Sequence, residues 1–110
     1  MSETWVAVCQ DDDLIAGTGV CALVGEEQVA VFKLRATGEL FAIGNYDPIG
    51  QANVLSRGIT GSLGDALVVA SPLYKHHFNL QTGQCLEDSS IEVSTYPVRL
   101  HEGQIEVALG

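Results

Sequence analysis

The stretch "SPLYKHHFNLQTG", residues 71–83, decides how the chain is interpreted. It follows the unbroken apolar run "ALVVA" (residues 66–70), which predicts a strand buried on both faces. A Ser-Pro turn then leads to a Phe and to a Thr-Gly pair, which favours a short hairpin over residues 77–87. Between the two strands lie three neighbouring basic or titratable residues, Lys75, His76 and His77.

Short apolar or alternating segments fill the rest of the chain. They predict strands at residues 4–10, 20–24, 27–35 and 40–46, and a closing hairpin at 96–109 whose inward positions end at Leu109. Alternation in the third strand places Ala30, Phe32 and Leu34 on its inner face. Residues 47–63 are rich in Gly, Asn, Ser and Pro, and they predict a loop.

The pattern as a whole predicts a single all-β domain over residues 1–110. No window has the period of an amphipathic helix of ten or more residues. Many short strands separated by turns favour an antiparallel β-sandwich or barrel-like fold.

Composition limits the classes of partner. The chain has 110 residues, and its 14 acidic side chains outnumber 5 Lys and Arg, for a net charge of −9. Such a charge disfavours nucleic acid and anionic membranes as partners. It suits a basic subunit surface, or it serves only to keep the protein in solution. The absence of a membrane-length apolar run and of a signal-peptide pattern predicts a cytoplasmic protein.

The Cys, His and Ser residues do not have the spacing of any known catalytic or metal-binding motif. Cys9, Cys21 and Cys85 are odd in number and widely spaced, so we expect free and mostly buried thiols. No nucleophile elbow or phosphate-binding loop is present. His76 and His77 are adjacent and would point to opposite faces of a strand, which favours surface histidines over metal ligands. No catalytic, cofactor-binding or metal-binding residue is predicted.

The order of the segments resembles a Rieske ferredoxin over nearly the whole chain. In that family a strand pair ends in a Cys-x-His loop, and a later strand leads into Cys-Pro-Leu-His, an aromatic residue and a Thr-Gly turn. The matching residues in this sequence are Pro72, Leu73, Phe78, Thr82 and Gly83. The resemblance implies a Rieske-like fold in which two loops form the former cluster-binding tip.

The four ligand positions of that family do not match. They are occupied by Asp47, Ile49, Ser71 and Tyr74. A Rieske [2Fe–2S] cluster needs two thiolates and two imidazoles, and none of these residues supplies either group. The resemblance therefore implies a chain without [2Fe–2S] in these loops. We expect Ile49 and Tyr74 to fill the gap between the loops, with the Tyr hydroxyl reaching a partner.

A Rieske-like chain of this length without ligands is similar to the small subunits of the cytoplasmic NAD(P)H-dependent nitrite reductases. That resemblance implies a large-subunit partner that carries FAD, a [4Fe–4S] cluster and sirohaem and reduces nitrite to ammonium during nitrate assimilation. This chain would then support the large subunit without being catalytic alone. The alternatives are a free-standing ferredoxin-type module that transfers electrons to another oxidoreductase, and a Rieske-like binding module with some other partner.

A small basic cluster suggests where a partner would dock. It comprises Arg57 on the first loop and Lys75, His76 and His77 on the second. We expect these residues to form a partner-binding patch at the tip, because basic groups are scarce elsewhere. The alternative is that they are ordinary solvated side chains.

Overall fold

A computed structural model describes residues 4–108 and consists almost entirely of short strands. The strands are β1 (Trp5–Gln10), β2 (Gly19–Val24), β3 (Glu27–Lys33), β4 (Leu40–Gly44), β5 (Tyr46–Asp47), β6 (Ala52–Asn53), β7 (Ile59–Leu63), β8 (Ala66–Ala70), β9 (His77–Asn79), β10 (Thr95–Tyr96), β11 (Val98–His101) and β12 (Gln104–Ala108). Two single 3₁₀ turns, Asp11–Asp13 and Leu55–Arg57, are the helical segments of this range. None of the helical segments in residues 4–108 has the length and apolar character of a membrane span.

The strands form four antiparallel sheets. Their orders are β1-β12-β11, β10-β4-β3-β2, β5-β6 and β7-β8-β9. The first and last strands pair with each other, and Trp5 lies opposite Ala108. The prediction of an all-β fold of short antiparallel strands is confirmed. Leu109 of the predicted closing hairpin lies outside the described residues.

β3 lies between two hydrophobic clusters. Ala30 and Phe32 belong to one cluster, and Val29 and Val31 belong to the other, and all four are fully buried. The prediction of a single inner face for this strand is therefore wrong at Val29 and Val31. Both faces of the sheet are covered, so alternation between apolar and polar residues is lost along the middle of the strand.

Two further sequence predictions are corrected by the β7–β9 sheet. The segment 59–63, predicted as loop, is strand β7 and pairs along its whole length with β8. Its Gly and Ser residues conceal it, because both are typical of turns and Gly is depleted in strands. The predicted strand after the Thr-Gly turn is reduced to isolated bridges at Gln84 and Cys85. Strand β8 is confirmed, with Val68 and Val69 buried on opposite faces.

The cysteines are free in the described part of the chain, as predicted, but they are not mostly buried. Cys85 is buried, Cys9 is half-buried and Cys21 is exposed. Burial is the main cause, and the nearby Asp13 the second, of a raised pKa of the Cys9 thiol. Less of this thiol is therefore in the nucleophilic thiolate form than in a solvent-exposed cysteine.

Candidate functional site

The first loop of the tip is a turn organised by the Asp47 side chain. Asp47 ends β5 and precedes Pro48, and its Oδ1 accepts hydrogen bonds from the backbone N–H groups of Ile49 (2.9 Å) and Gly50 (3.1 Å). Its carbonyl oxygen also accepts from the N–H of Gln51 at 2.7 Å. An Asp that bonds the backbone two and three residues ahead is a common way to fix a turn of the Asp-Pro-x-Gly type.

The second loop folds back on itself directly after β8. The N–H of Ser71 donates to the carbonyl of His76 at 2.9 Å, and the N–H of Lys75 donates to the carbonyl of Ser71 at 3.0 Å. Lys75 has a positive φ of 62°, which reverses the chain at this position. As a result, Ser71 and His76 lie side by side and both face the first loop.

A buried network of side chains joins the two loops. The Ser71 hydroxyl donates to Asp47 Oδ2 at 2.6 Å, and His76 Nε2 lies 3.0 Å from Asp47 Oδ1. Asp47 is fully buried, Ser71 is 1% exposed and His76 is 8% exposed. Burial by itself raises the pKa of the Asp47 carboxyl, but the hydrogen bonds that it accepts outweigh burial and hold this pKa below its ordinary value. We call Asp47, Ser71 and His76 the tip network.

The tip network contains the three residue types of a hydrolase triad in an order that does not activate the serine. A triad places the histidine between the serine and the carboxylate, so that the imidazole removes the hydroxyl proton. Here the carboxylate is in the middle, and Ser71 and His76 each bond to it. The arrangement suits a cross-link between two loops.

The residues of the tip do not fit a [2Fe–2S] cluster. The four expected ligand positions supply neither a thiolate nor an imidazole, and the 2.6 Å contact between Asp47 and Ser71 leaves no space for two iron atoms. A Cβ added at Gly50 would come within 2.5 Å of Leu73 Cδ1, so the two loops are in close contact there as well. Across residues 4–108, no group of three or more His, Cys, Asp or Glu side chains could hold a metal ion.

Two sequence predictions about this tip are wrong. His76 is buried in the network, whereas we expected a surface histidine that contacts a partner. Tyr74 is 69% exposed and does not fill the gap between the loops; its ring stacks beside His76 with 6.4 Å between centroids. Ile49 packs against the hydrophobic core cluster that contains Phe32 and Phe78. The position of His76 was readable from the sequence, because it lies two residues before the buried Phe78 and therefore shares its side of the chain.

The other basic residues of the predicted patch lie around one shallow groove, which we call the tip groove. It has a volume of about 540 Å³, and the residues that line it include Arg57, Ile59, Ala70, Pro72, Lys75 and His77. Arg57 and Lys75 are exposed. His77 is partly exposed, and its Nδ1 lies 2.7 Å from Glu87 Oε2. The structure thus brings Arg57, Lys75 and His77 to one groove, whereas the side chain of His76 points into the tip network.

The lowered pKa of Asp47 predicts a pH-dependent contribution to stability. A carboxyl whose pKa is lower in the folded state stabilises the fold above its unfolded pKa of about 3.9, and this contribution is lost as the pH falls through the folded value. The difference in unfolding free energy between the wild type and Asp47→Asn should therefore shrink as the pH falls from 7 towards 3. Urea denaturation at several pH values measures this difference. The exposed Asp65→Asn is the control, and a pH-independent gap for Asp47→Asn would contradict the prediction.

This chain is similar in sequence and structure to proteins of one known family. The family described as the Rieske-like [2Fe-2S] domain matches residues 4–108. A nitrite reductase (NADH) small subunit from Salmonella typhimurium is 45% identical over 103 residues, which cover 94% of this chain and 95% of that protein. The structure of the Escherichia coli protein NirD superposes with a TM-score of 0.90 at 41% identity, and the match covers 99% of each chain. The nitrite reductase [NAD(P)H] large subunit of Klebsiella oxytoca is 36% identical over 96% of this chain, and this match covers 11% of that longer protein.

Proposed function

Because the chain belongs to the Rieske-like [2Fe-2S] domain family and, within it, to the nitrite reductase (NADH) small subunits, we propose that it is the small subunit of an NAD(P)H-dependent nitrite reductase. The observation that carries this proposal is the near end-to-end match at 45% identity to a protein of that name. The match in Klebsiella oxytoca supports it, because there the corresponding segment lies within a large-subunit polypeptide.

The role proposed for this chain is structural. It acts in the cytoplasm as a part of the enzyme that reduces nitrite to ammonium, and it is not catalytic alone. In this proposal it binds no [2Fe–2S] cluster, which is supported by the hydrogen bond that joins two of the four ligand positions, Asp47 and Ser71. FAD, [4Fe–4S] and sirohaem belong to the large subunit in this proposal. The contribution of the small subunit is to dock on the large subunit and to support its active form.

Reconstitution tests this function. The purified large subunit, loaded with its cofactors, is assayed for NAD(P)H-dependent nitrite reduction with and without this chain. The proposal expects a complex on size-exclusion chromatography and higher or longer-lasting activity when the chain is present. Visible absorption bands of a [2Fe–2S] centre in the chain alone would instead support an electron-carrying ferredoxin. Absence of a complex would overturn the proposal.

The docking surface proposed for this subunit is the tip groove, with Arg57, Lys75 and His77 as its basic contacts. His76 is not one of these contacts, because its side chain is buried. Among the described residues, no carboxylate lies within ion-pair distance of Arg57 or Lys75, whereas Lys33 and Arg99 pair with Asp11 and Glu106. Two unpaired cations beside one groove in an acidic chain favour an anionic contact on the large subunit.

Charge reversal tests this surface. Lys75→Glu should weaken binding to the large subunit by about fivefold, which is the upper range for one exposed ion pair, and the effect should fade at high salt. Arg35→Glu is the matched control, since Arg35 is exposed and does not line the tip groove. Binding is measured by surface plasmon resonance at low and high ionic strength. Equal affinities of the two variants at low salt would remove the tip groove as the docking surface.

A further inference from the structure

β7 presents an open strand edge beside the tip groove. It is the outer strand of the β7-β8-β9 sheet and pairs only with β8. Leu63 and Ala66 lie opposite each other on either side of the two-residue turn Gly64-Asp65. In a hairpin with a two-residue loop, the residues that flank the loop form a hydrogen-bonded pair. Hydrogen bonding alternates along an antiparallel pair, so the N–H and C=O groups of Thr60 and Ser62 point away from β8. Within residues 4–108, no other segment forms a hydrogen bond with these backbone groups.

This edge lacks the usual protection against pairing. Exposed edge strands are normally blocked by charged side chains, proline or a bulge. The sequence of β7, "ITGSL", has no charge and no proline, and its register with β8 is regular. Ile59 is 77% exposed and Leu63 is 45% exposed, so two apolar side chains accompany the free backbone groups. In strand addition, main-chain hydrogen bonds to such an edge give affinity, and the surface beside the edge that receives alternate side chains gives specificity.

The edge and the tip groove form one continuous surface. Ile59, Ala70 and His77 lie opposite one another across β7, β8 and β9, and all three line the tip groove. Arg57 and Lys75 border the same groove. An extended segment paired with β7 would therefore place its side chains over apolar groups and within reach of two cations.

We propose that β7 binds an extended segment of the large subunit as a fourth strand of the β7-β8-β9 sheet, and that this segment carries apolar and acidic side chains. This inference rests on the proposed function. Charge complementarity with Arg57 and Lys75 selects an acidic segment. A second copy of this chain is disfavoured as the occupant, because each copy carries a net charge of −9.

Amide hydrogen exchange on the complex tests the inference. The chain is exchanged alone and with saturating, cofactor-loaded large subunit, and peptides that cover residues 59–63 are followed by mass spectrometry. The amides of Thr60 and Ser62 should exchange at least about tenfold more slowly in the complex. Unchanged exchange in a complex that forms would overturn this inference and leave the proposed function standing. Failure of the wild-type chain to bind would overturn both.

A proline variant gives the second measurement. Ser62→Pro removes one outward-pointing N–H and leaves the hydrogen bonds to β8 in place. It should weaken binding to the large subunit by about tenfold or more, because the bulky ring also blocks the incoming strand. The matched control is Leu23→Pro, since Leu23 is exposed and precedes the corresponding two-residue turn at the edge strand β2. Circular dichroism confirms that both variants are folded.

Two results would contradict the proposal in this experiment. One is full affinity of a folded Ser62→Pro variant for the large subunit. The other is concentration-dependent dimerisation of the free chain with protection of β7, measured by sedimentation and exchange, which would assign the edge to a second copy.

Discussion

Replacement of Asp47 by Ala is expected to lower the free energy of unfolding by about 3–5 kcal/mol, because it leaves several buried hydrogen-bond donors without an acceptor. The carboxylate is fully buried and accepts from the Ser71 hydroxyl, from two backbone N–H groups, and from His76 when its Nε2 is protonated. Without it, these groups remain buried without a partner, and each unsatisfied donor costs about 1–3 kcal/mol before relaxation. Because domains of this size have a total stability of about 5–15 kcal/mol, the variant should be close to unfolding at 37 °C.

Urea denaturation followed by circular dichroism measures this loss. Asp65→Ala is the matched control, because Asp65 is exposed in a turn and forms no hydrogen bond among the described side chains. Its stability should stay within about 0.5 kcal/mol of the wild type. If Asp47→Ala were as stable as Asp65→Ala, the tip network would not be the cross-link between the two loops.

Gly83→Ala is expected to lower the free energy of unfolding by about 2–5 kcal/mol, as the sum of two separate costs. Gly83 has a φ of +80°, which an L-residue adopts only with strain. An added Cβ would also collide with the carbonyl oxygen of Val93. That carbonyl belongs to backbone that is held in place, since the Val93 N–H donates to the Gly83 carbonyl at 2.8 Å. The loop must therefore move as a unit to relieve the collision.

Gly38→Ala separates the two costs. Gly38 has a similar φ of +75°, but a Cβ there would have no neighbour within 4 Å. Its substitution should cost about 1–2 kcal/mol, which is the conformational strain alone. Thermal unfolding of both variants, compared at equal pH, gives the difference that is due to the contact with Val93. Equal destabilisation of the two variants would show that close packing at Gly83 contributes nothing.

The sequence predicts the all-β fold class because local and global signals agree at several of its turns and strands. The Thr82-Gly83 pair predicts a turn, and the structure shows that the turn needs glycine both for its φ and for its contact with Val93. The run at residues 66–70 predicts a strand buried on both faces, and Val68 and Val69 are buried accordingly. Strand β7 was missed because an exposed edge made of Thr, Gly and Ser has no apolar period to detect.

The tip network could be predicted only in part. Asp47 and Ser71 were identified as former ligand positions, but no periodicity indicates that residues 24 positions apart in the chain share a hydrogen bond. Their contact depends on how β5 and β8 are placed in three dimensions. The prediction for His76 is wrong because its titratable side chain suggests exposure, whereas its position two residues before the buried Phe78 indicates burial. Residue type predicts exposure poorly where a buried carboxylate is available as a partner.

The pairing of β1 with β12 also determines how this domain can be joined to other polypeptides. Because Trp5 lies opposite Ala108, the two ends of the described chain emerge side by side. A domain with adjacent ends can be appended or inserted without distorting its interior. Covalent attachment would replace a bimolecular encounter with an intramolecular one, at an effective concentration on the order of millimolar for a short flexible linker. The Klebsiella oxytoca large subunit contains a segment that is 36% identical to this chain within one longer polypeptide. A single-chain version with a linker at either end would therefore hold the proposed complex together.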